Sequence, residues 1–336
     1  MSMRHVSRVF WLSVLCSTSL LTAVPAALAQ PMLVPLPPAP ENYTPEHVPS
    51  ATVAPAAPGA FDALTVPATH RLLPGKIVFS MLVTPDLARA ERFYGGLFGW
   101  GFRPVGDGRT PRVEITLGTQ PVGMMVAHKL DDPKRDVPFW MPFLSTSDTA
   151  TVARVTKQHG GKTIFGPKPI AGLGQAVIVS DPQHGLYAAL SAQSGDPADH
   201  DTDPTLNGWS WATLLSPDPR AAAGYYQLLF NYRIVASPEA DSPQHYMLTA
   251  QDKERASINT LPPGIEPRDR ARWVQFVEVN DSASLADRAQ KLGGRVIVPT
   301  HVDRDGAQIA VLADPDGAVF GVIETQKDML EGALPR

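Results

Sequence analysis

The sequence predicts an α+β fold of two tandem domains, each a pair of strand-helix-strand-strand-strand modules. Three observations lead there. The stretch Asp86 to Trp100 recurs as Asp218 to Tyr232, with Phe93, Tyr94, Leu97, Phe98 and Trp100 answering to Tyr225, Tyr226, Leu229, Phe230 and Tyr232. Further on, Trp140, Asp148, Gly160-Gly161 and Asp181-Pro182 answer to Trp273, Asp281, Gly293-Gly294 and Asp314-Pro315, each pair 133 residues apart. Within each repeat, Asp86 to Asp148 spans 62 residues and Asp218 to Asp281 spans 63, so the module occurs four times. A period this long means duplication of a whole domain rather than a short solenoid repeat.

The elements follow in order. Lys76 to Pro85 is an apolar strand, and Asp86 then caps a helix in which Leu87, Ala90, Phe93, Tyr94, Leu97 and Phe98 fall at helical spacing until Gly99 stops it. Three short strand patterns come next: Trp100 to Val105, Arg112 to Gly118 and Pro121 to His128. The second module repeats the order, with Val137 to Thr146, a helix Thr149 to His159 closed by Gly160-Gly161, and strands Lys162 to Ile170, Gly174 to Ser180 and Leu186 to Ala192. The sequences 303–306 and 314–317 have the Asp-x-Asp-Gly look of a calcium loop but lack its later ligands, and read as turns between strands.

Arg4 and Arg8 precede an apolar run from Val9 to Ala29 that ends in Ala27-Leu28-Ala29, the pattern of a secretory signal (1–29) cleaved before Gln30. The expected location is periplasmic or secreted. The competing reading, an uncleaved anchor, is weakened by Ser13, Ser17, Thr18, Ser19, Thr22 and Pro25, so no stable membrane insertion is expected after cleavage. Cys16 is the only cysteine, and a mature chain without it has no disulfide, no cysteine metal site and no thiol nucleophile. From Pro31 to Gly75 lie 11 of the 34 prolines, so residues 30–73 read as an extended spacer without a core of its own. That leaves a first domain at 74–195, a linker at 196–206, a second domain at 207–328 and a tail at 329–336. The mature net charge is about −6 and no basic tract stands out, so nucleic acid is not an expected partner.

At this level of detail the chain resembles the vicinal-oxygen-chelate superfamily, which includes glyoxalase I, the extradiol dioxygenases and the fosfomycin- and bleomycin-resistance proteins. The residues that carry the resemblance are the paired modules, the Asp86 to Trp100 helix pattern, the Gly-Gly after the second helix, the Asp-Pro turn before the last strand, and Trp140 and Trp273 at the start of the fifth strands. The resemblance implies two curved sheets with outer helices, each sheet enclosing a concave cleft. It implies no single chemistry, since one scaffold hosts many activities.

In the superfamily's metal enzymes, His, Gln or Glu sits seven residues before each helix-capping Asp, and Glu sits seven after the Asp of the Asp-Pro turn. Carried over, those positions read Phe79, Met141 and Ala188 in the first repeat and Trp211, Val274 and Gly321 in the second, with no oxygen or nitrogen donor among them. No metal and no other cofactor is therefore expected. Strand alternation instead gathers an apolar ligand site at Phe79, Met81, Met125, Met141 and Phe143 in the first repeat and at Trp211 and Phe276 in the second, with Thr213, Leu215 and Val274 beside them. Aromatic faces and flexible thioethers suit a flat apolar molecule. The competing reading is that these residues pack against the other repeat or fill a collapsed cleft.

Alternation also places Glu278 on the face of Val274 and Phe276, where a buried carboxylate can act as a general base; a solvated strand end explains it equally. Glu114, His128, His245 and Tyr246 are weaker candidates. No phosphate loop, nucleophile elbow or zinc-protease motif is present. The expected function is metal-free binding of an apolar or aromatic small molecule. The alternatives are a glyoxalase- or dioxygenase-type metal enzyme, which the missing donors oppose, and a protein-interaction module.

Overall fold

The computed structural model describes residues 59–325, apart from 107, 109, 130–136, 200–203, 237–243, 266–267 and 304–305. The signal, most of the expected spacer and the tail lie outside the described residues.

The first repeat runs β1 (Ile77–Thr84), α1 (Leu87–Phe98), β2 (Gly101–Val105), β3 (Arg112–Leu117), β4 (Gln120–Ala127), β5 (Phe139–Ser145), α2 (Thr149–Gln158), β6 (Lys162–Ile170), β7 (Gly174–Ser180) and β8 (Leu186–Ala192). The second runs β9 (Trp209–Ser216), α3 (Pro219–Phe230), β10 (Arg233–Ala236), β11 (His245–Ala250), β12 (Lys253–Thr260), β13 (Arg272–Glu278), α4 (Ser282–Lys291), β14 (Arg295–Val302), β15 (Gln308–Ala313) and β16 (Val319–Glu324). Each repeat forms one eight-stranded sheet, in the orders β2-β3-β4-β1-β5-β8-β7-β6 and β10-β11-β12-β9-β13-β16-β15-β14. The two modules of a sheet meet along antiparallel central pairs, β1 with β5 and β9 with β13. These are two curled sheets of an α+β fold, each enclosing a half-barrel cleft.

Helices α1 to α4 each start on an aspartate whose side chain accepts backbone N–H bonds of the first turn: Asp86 from Arg89, Asp148 from Ala150 and Thr151, Asp218 from Ala221, and Asp281 from Ser284. The cap satisfies donors that the helix itself cannot. The Gly-Gly pairs have a steric cause. Gly160 and Gly293 are left-handed, with φ of 90° and 91°. A Cβ on Gly161 would lie 2.5 Å from the Ser180 carbonyl oxygen, and one on Gly294 would lie 2.8 Å from that of Ala313.

Each helix packs outside the curve of its own sheet, and there the two repeats share their cores. Ala90, Phe93, Tyr94, Leu97 and Phe98 of α1 form one cluster with Leu82, Ile115, Met125 and Trp140 and with Val277, Ala289, Leu312, Phe320 and Val322 of the second repeat. The reciprocal cluster joins Tyr225, Tyr226 and Phe230 of α3 to Leu144, Val152, Val179 and Tyr187 of the first. Phe320 packs edge-on against Phe93, Tyr94 and Phe98, at centroid distances of 6.1, 5.6 and 5.9 Å. Burying one such ring contributes about 2–3 kcal/mol, so the shared cores hold the repeats together.

Candidate functional site

The cleft faces are those opposite the helices, and the two differ. In the first repeat Phe79 pairs with Phe143 and Met81 with Met141 across β1 and β5, so all four side chains share one face. That face is filled by the chain itself. Residues 59–73 cross it, with Phe61 and Leu64 buried against Phe79, Met81, Met124, Met141 and Phe143. The rings of Phe61, Phe79 and Phe143 form an edge-to-face series with centroid distances of 6.2 and 5.6 Å.

Hydrogen bonds fix this strap along its length. Gly106 N–H donates to the Gly59 carbonyl at 2.7 Å, Phe61 N–H to the Ala171 carbonyl at 2.9 Å, and Gln120 Nε2 to the Leu64 carbonyl at 2.9 Å. Asp62 N–H donates to Glu114 Oε1 at 2.8 Å, while Arg103 pairs with the other oxygen of Glu114. Glu114 is fully buried, and burial pushes its carboxyl up while those two donors pull it back. Two expectations are thereby corrected. The spacer does not extend to residue 73, because Phe61, Leu64 and Leu73 bury apolar side chains that the surrounding Ala and Pro do not have. Met125 is not in the cleft: the parallel register sets Met81 beside Met124, so Met125 points to the helix side with Leu82.

The second cleft holds a cavity of about 780 Å³. Trp211, Thr213 and Leu215 of β9, Ser257 and Asn259 of β12, and Val274 and Phe276 of β13 line it, with Val311 and Ile323 opposite. Phe139 and Leu186 of the first repeat close one side, and the half-exposed Ile297 stands at the mouth. A cleft of this size and lining is what a small-molecule site requires. Among its polar groups, Trp211 Nε1 donates to Ser257 Oγ at 3.3 Å, and Thr213 Oγ1 lies 2.8 Å from Ser257 Oγ. His245 Nδ1 bonds to Asn259 Oδ1, and since that oxygen only accepts, Nδ1 is the donor.

Trp211 and Phe276 thus come together in the cavity. Glu278 does not line it. Its carboxylate, at the end of β13, accepts Thr325 N–H at 3.0 Å and the Thr325 hydroxyl at 3.2 Å, so it fastens the chain after β16 rather than facing a ligand. His128 is exposed at the end of β4, Tyr246 packs near the helix-side core, and only His245 of the weaker candidates reaches the cavity. Ser257 and Asn259 were not among the expected site residues. No signal in β12 marks them, because only the register with β9 brings Ser257 beside Thr213.

The sequence model of the glyoxalase-like domain matches residues 211–323. The Mn(II)-bound glyoxalase of Novosphingobium aromaticivorans aligns with a TM-score of 0.53 at 14% identity, over 75% of this chain and 82% of its own. Glyoxalase-like over its second repeat, the chain has the vicinal-oxygen-chelate fold. The 2,3-dioxygenase LapB of Pseudomonas sp. KL28 shares the superfamily fold with a TM-score of 0.54 at 12% identity, over 76% of this chain and 93% of its own. The "Putative glyoxylase CFP32" of Mycobacterium tuberculosis is 27% identical over 250 residues, 72% of this chain and 92% of its own. The anthracycline biosynthesis protein DauV of Streptomyces sp. strain C5 is 26% identical over 269 residues, 76% and 96% respectively.

The superfamily's metal positions do not fit a divalent ion in this chain. Phe79, Met141 and Ala188 are buried under the strap, and Trp211, Val274 and Gly321 offer no donor side chain in the second cleft. At Gly321 the space is taken as well: a Cβ there would lie 2.1 Å from the ring of Phe276, its register partner on β13. Among the described residues no group of three or more His, Cys, Asp or Glu is placed to hold a metal.

Proposed function

We propose that this chain is an exported protein that binds an apolar or aromatic small molecule in the cleft of its second repeat, without a metal at the superfamily's positions. The cavity of about 780 Å³ carries this reading, because its floor has Trp211 at one of the positions where the metal enzymes need donors and Phe276 packed over another, Gly321. Relatives that span both repeats include one named for anthracycline biosynthesis, and an anthracycline is a fused-ring aromatic, the shape such a floor accommodates. Export rests on the basic start, apolar run and Ala27-Leu28-Ala29 of residues 1–29, and predicts a mature chain beginning at Gln30.

The test is titration of the mature chain with the fluorescent apolar probe N-phenyl-1-naphthylamine, followed by its emission and by Trp211 quenching. One saturable site is expected, lost in Val274→Glu and weakened in Trp211→Ala with folding verified by circular dichroism. No saturable uptake, or one tightly held Mn, Fe, Ni or Zn per chain that cleft mutations release, overturns the reading.

A further inference from the structure

The floor of the second cleft carries one hydrogen-bond donor more than the protein itself uses. Three hydrogens belong to the cluster: the indole N–H of Trp211 and the hydroxyls of Thr213 and Ser257. The indole N–H goes to Ser257 Oγ at 3.3 Å, and between the two hydroxyls, 2.8 Å apart, one donates to the other. Whichever way that bond runs, one O–H remains without a protein acceptor among the described residues. Both hydroxyl groups line the cavity, yet Thr213 is only 7% and Ser257 only 2% exposed. A donor this buried is costly to leave unmet.

The first repeat shows that packing does not demand these hydroxyls. Met81 and Met124 hold the matching register positions there, as Thr213 and Ser257 do in the second. The cleft closed by the strap is apolar at that spot, and the open one carries the polar pair.

We infer that the ligand of the second cleft is a flat apolar molecule bearing an oxygen acceptor on its ring system, a ring carbonyl or phenolic oxygen, which receives the spare Thr213–Ser257 hydroxyl. The inference rests on the binding function proposed above and adds the chemical class of the ligand. It involves no bond making or breaking: the ligand oxygen accepts one O–H, and the ring frame lies against Trp211 and Phe276.

Fluorenone and fluorene test it, since they share one frame and differ by a carbonyl in place of a methylene. Their affinities for the mature chain are measured by Trp fluorescence in the wild type and in the double variant Thr213→Val, Ser257→Ala. The ratio of fluorene to fluorenone Kd is expected to be about five- to tenfold larger in the wild type than in the double variant, as one hydrogen bond of ordinary strength requires. Thr213→Ser, which keeps the hydroxyl, should retain the wild-type ratio and guards against misreading a damaged fold. Fluorene binding with an unchanged ratio overturns this inference and leaves the binding function intact. Failure of both probes to bind the wild type overturns the two together.

Discussion

The hydroxyl of Tyr94, on α1 of the first repeat, donates to Asp314 Oδ2 of the second at 3.1 Å, and Trp140 Nε1 donates to the same hydroxyl at 2.8 Å. The other oxygen of Asp314 accepts the N–H groups of Asp316, Gly317 and Ala318, at 2.9, 2.8 and 2.9 Å, and so builds the turn before β16. The arrangement is repeated in the opposite direction. Tyr226 donates to Asp181 Oδ2 at 3.0 Å and Trp273 Nε1 to Tyr226 at 3.2 Å. The Asp-Pro turn of each repeat is thus anchored by the aromatic helix of the other.

Tyr94→Phe should therefore destabilise the whole chain. The substitution removes one donor from a buried carboxylate and the acceptor of a buried indole, a loss of about 1–3 kcal/mol. Tyr226→Phe should cost a similar amount. In denaturant unfolding both are expected to lower the midpoint of a single transition without changing its slope, whereas two separate transitions, one per repeat, would show that the shared cores do not couple.

The strap makes a second prediction. Phe61→Ala removes a ring that is 3% exposed and should cost about 3–5 kcal/mol, whereas Val66→Ala, at a position 54% exposed, should change stability by less than about 0.5 kcal/mol. Thermal unfolding of the two variants side by side checks this. Equal melting temperatures would mean that the segment contributes nothing to the fold.

Gly321→Ala should act through Phe276. The new methyl would meet the ring at 2.1 Å, so the ring must turn toward the cavity, at a cost of about 1–3 kcal/mol and with weaker probe uptake. Phe276→Ala in the same chain should remove most of that penalty. A double-mutant cycle on melting and on probe affinity measures the coupling, and additive effects would exclude the contact.

The pH dependence should centre on Asp199. Arg255 grips its two oxygens at 2.6 and 2.9 Å and Lys76 bonds to it at 2.9 Å, and the Arg255 bonds hold its carboxyl far below the ordinary range. A depressed carboxyl stabilises fully above its unfolded pKa of about 3.9 and loses that contribution as the pH falls toward the folded value. Asp181 and Asp314 behave oppositely: burial raises them, so their ionisation removes stability as the pH rises from about 4. Asp199→Asn should lower neutral stability by about 1–2 kcal/mol and flatten the decline below about pH 4, measured by urea unfolding across that range.

Much of the architecture was legible because its signals are local or repeated. The four capping aspartates, the helical spacing of Phe93, Tyr94, Leu97 and Phe98, and the 133-residue offset from Trp140 to Trp273 require no knowledge of distant partners. The strap was illegible for the opposite reason. Asp62 meets Glu114 across 52 residues of sequence and Thr65 meets Ser194 across 129, while the Pro- and Ala-rich surroundings read as spacer. At Met124-Met125, alternation fixes that one residue faces the cleft but not which, and the β1–β4 register decides for Met124. Ser257 and Asn259 stayed hidden for the same cause, while Trp211 and Phe276 follow from alternation along single strands.

The reciprocal tyrosine–aspartate contact has a meaning for the history of the chain. Making one contact twice, in opposite directions, is the pattern of an isologous dimer. A lone repeat would expose Phe93, Tyr94 and Phe98 and need a second copy of itself to cover them, at a concentration high enough to keep the pair together. Fusion supplies the second copy permanently. It also lifts the requirement that both copies be alike, which identical subunits can never escape. Under that freedom one cleft holds a built-in occupant, Phe61 and Leu64, while its twin carries Thr213 and Ser257 where the first has Met81 and Met124, and keeps its space.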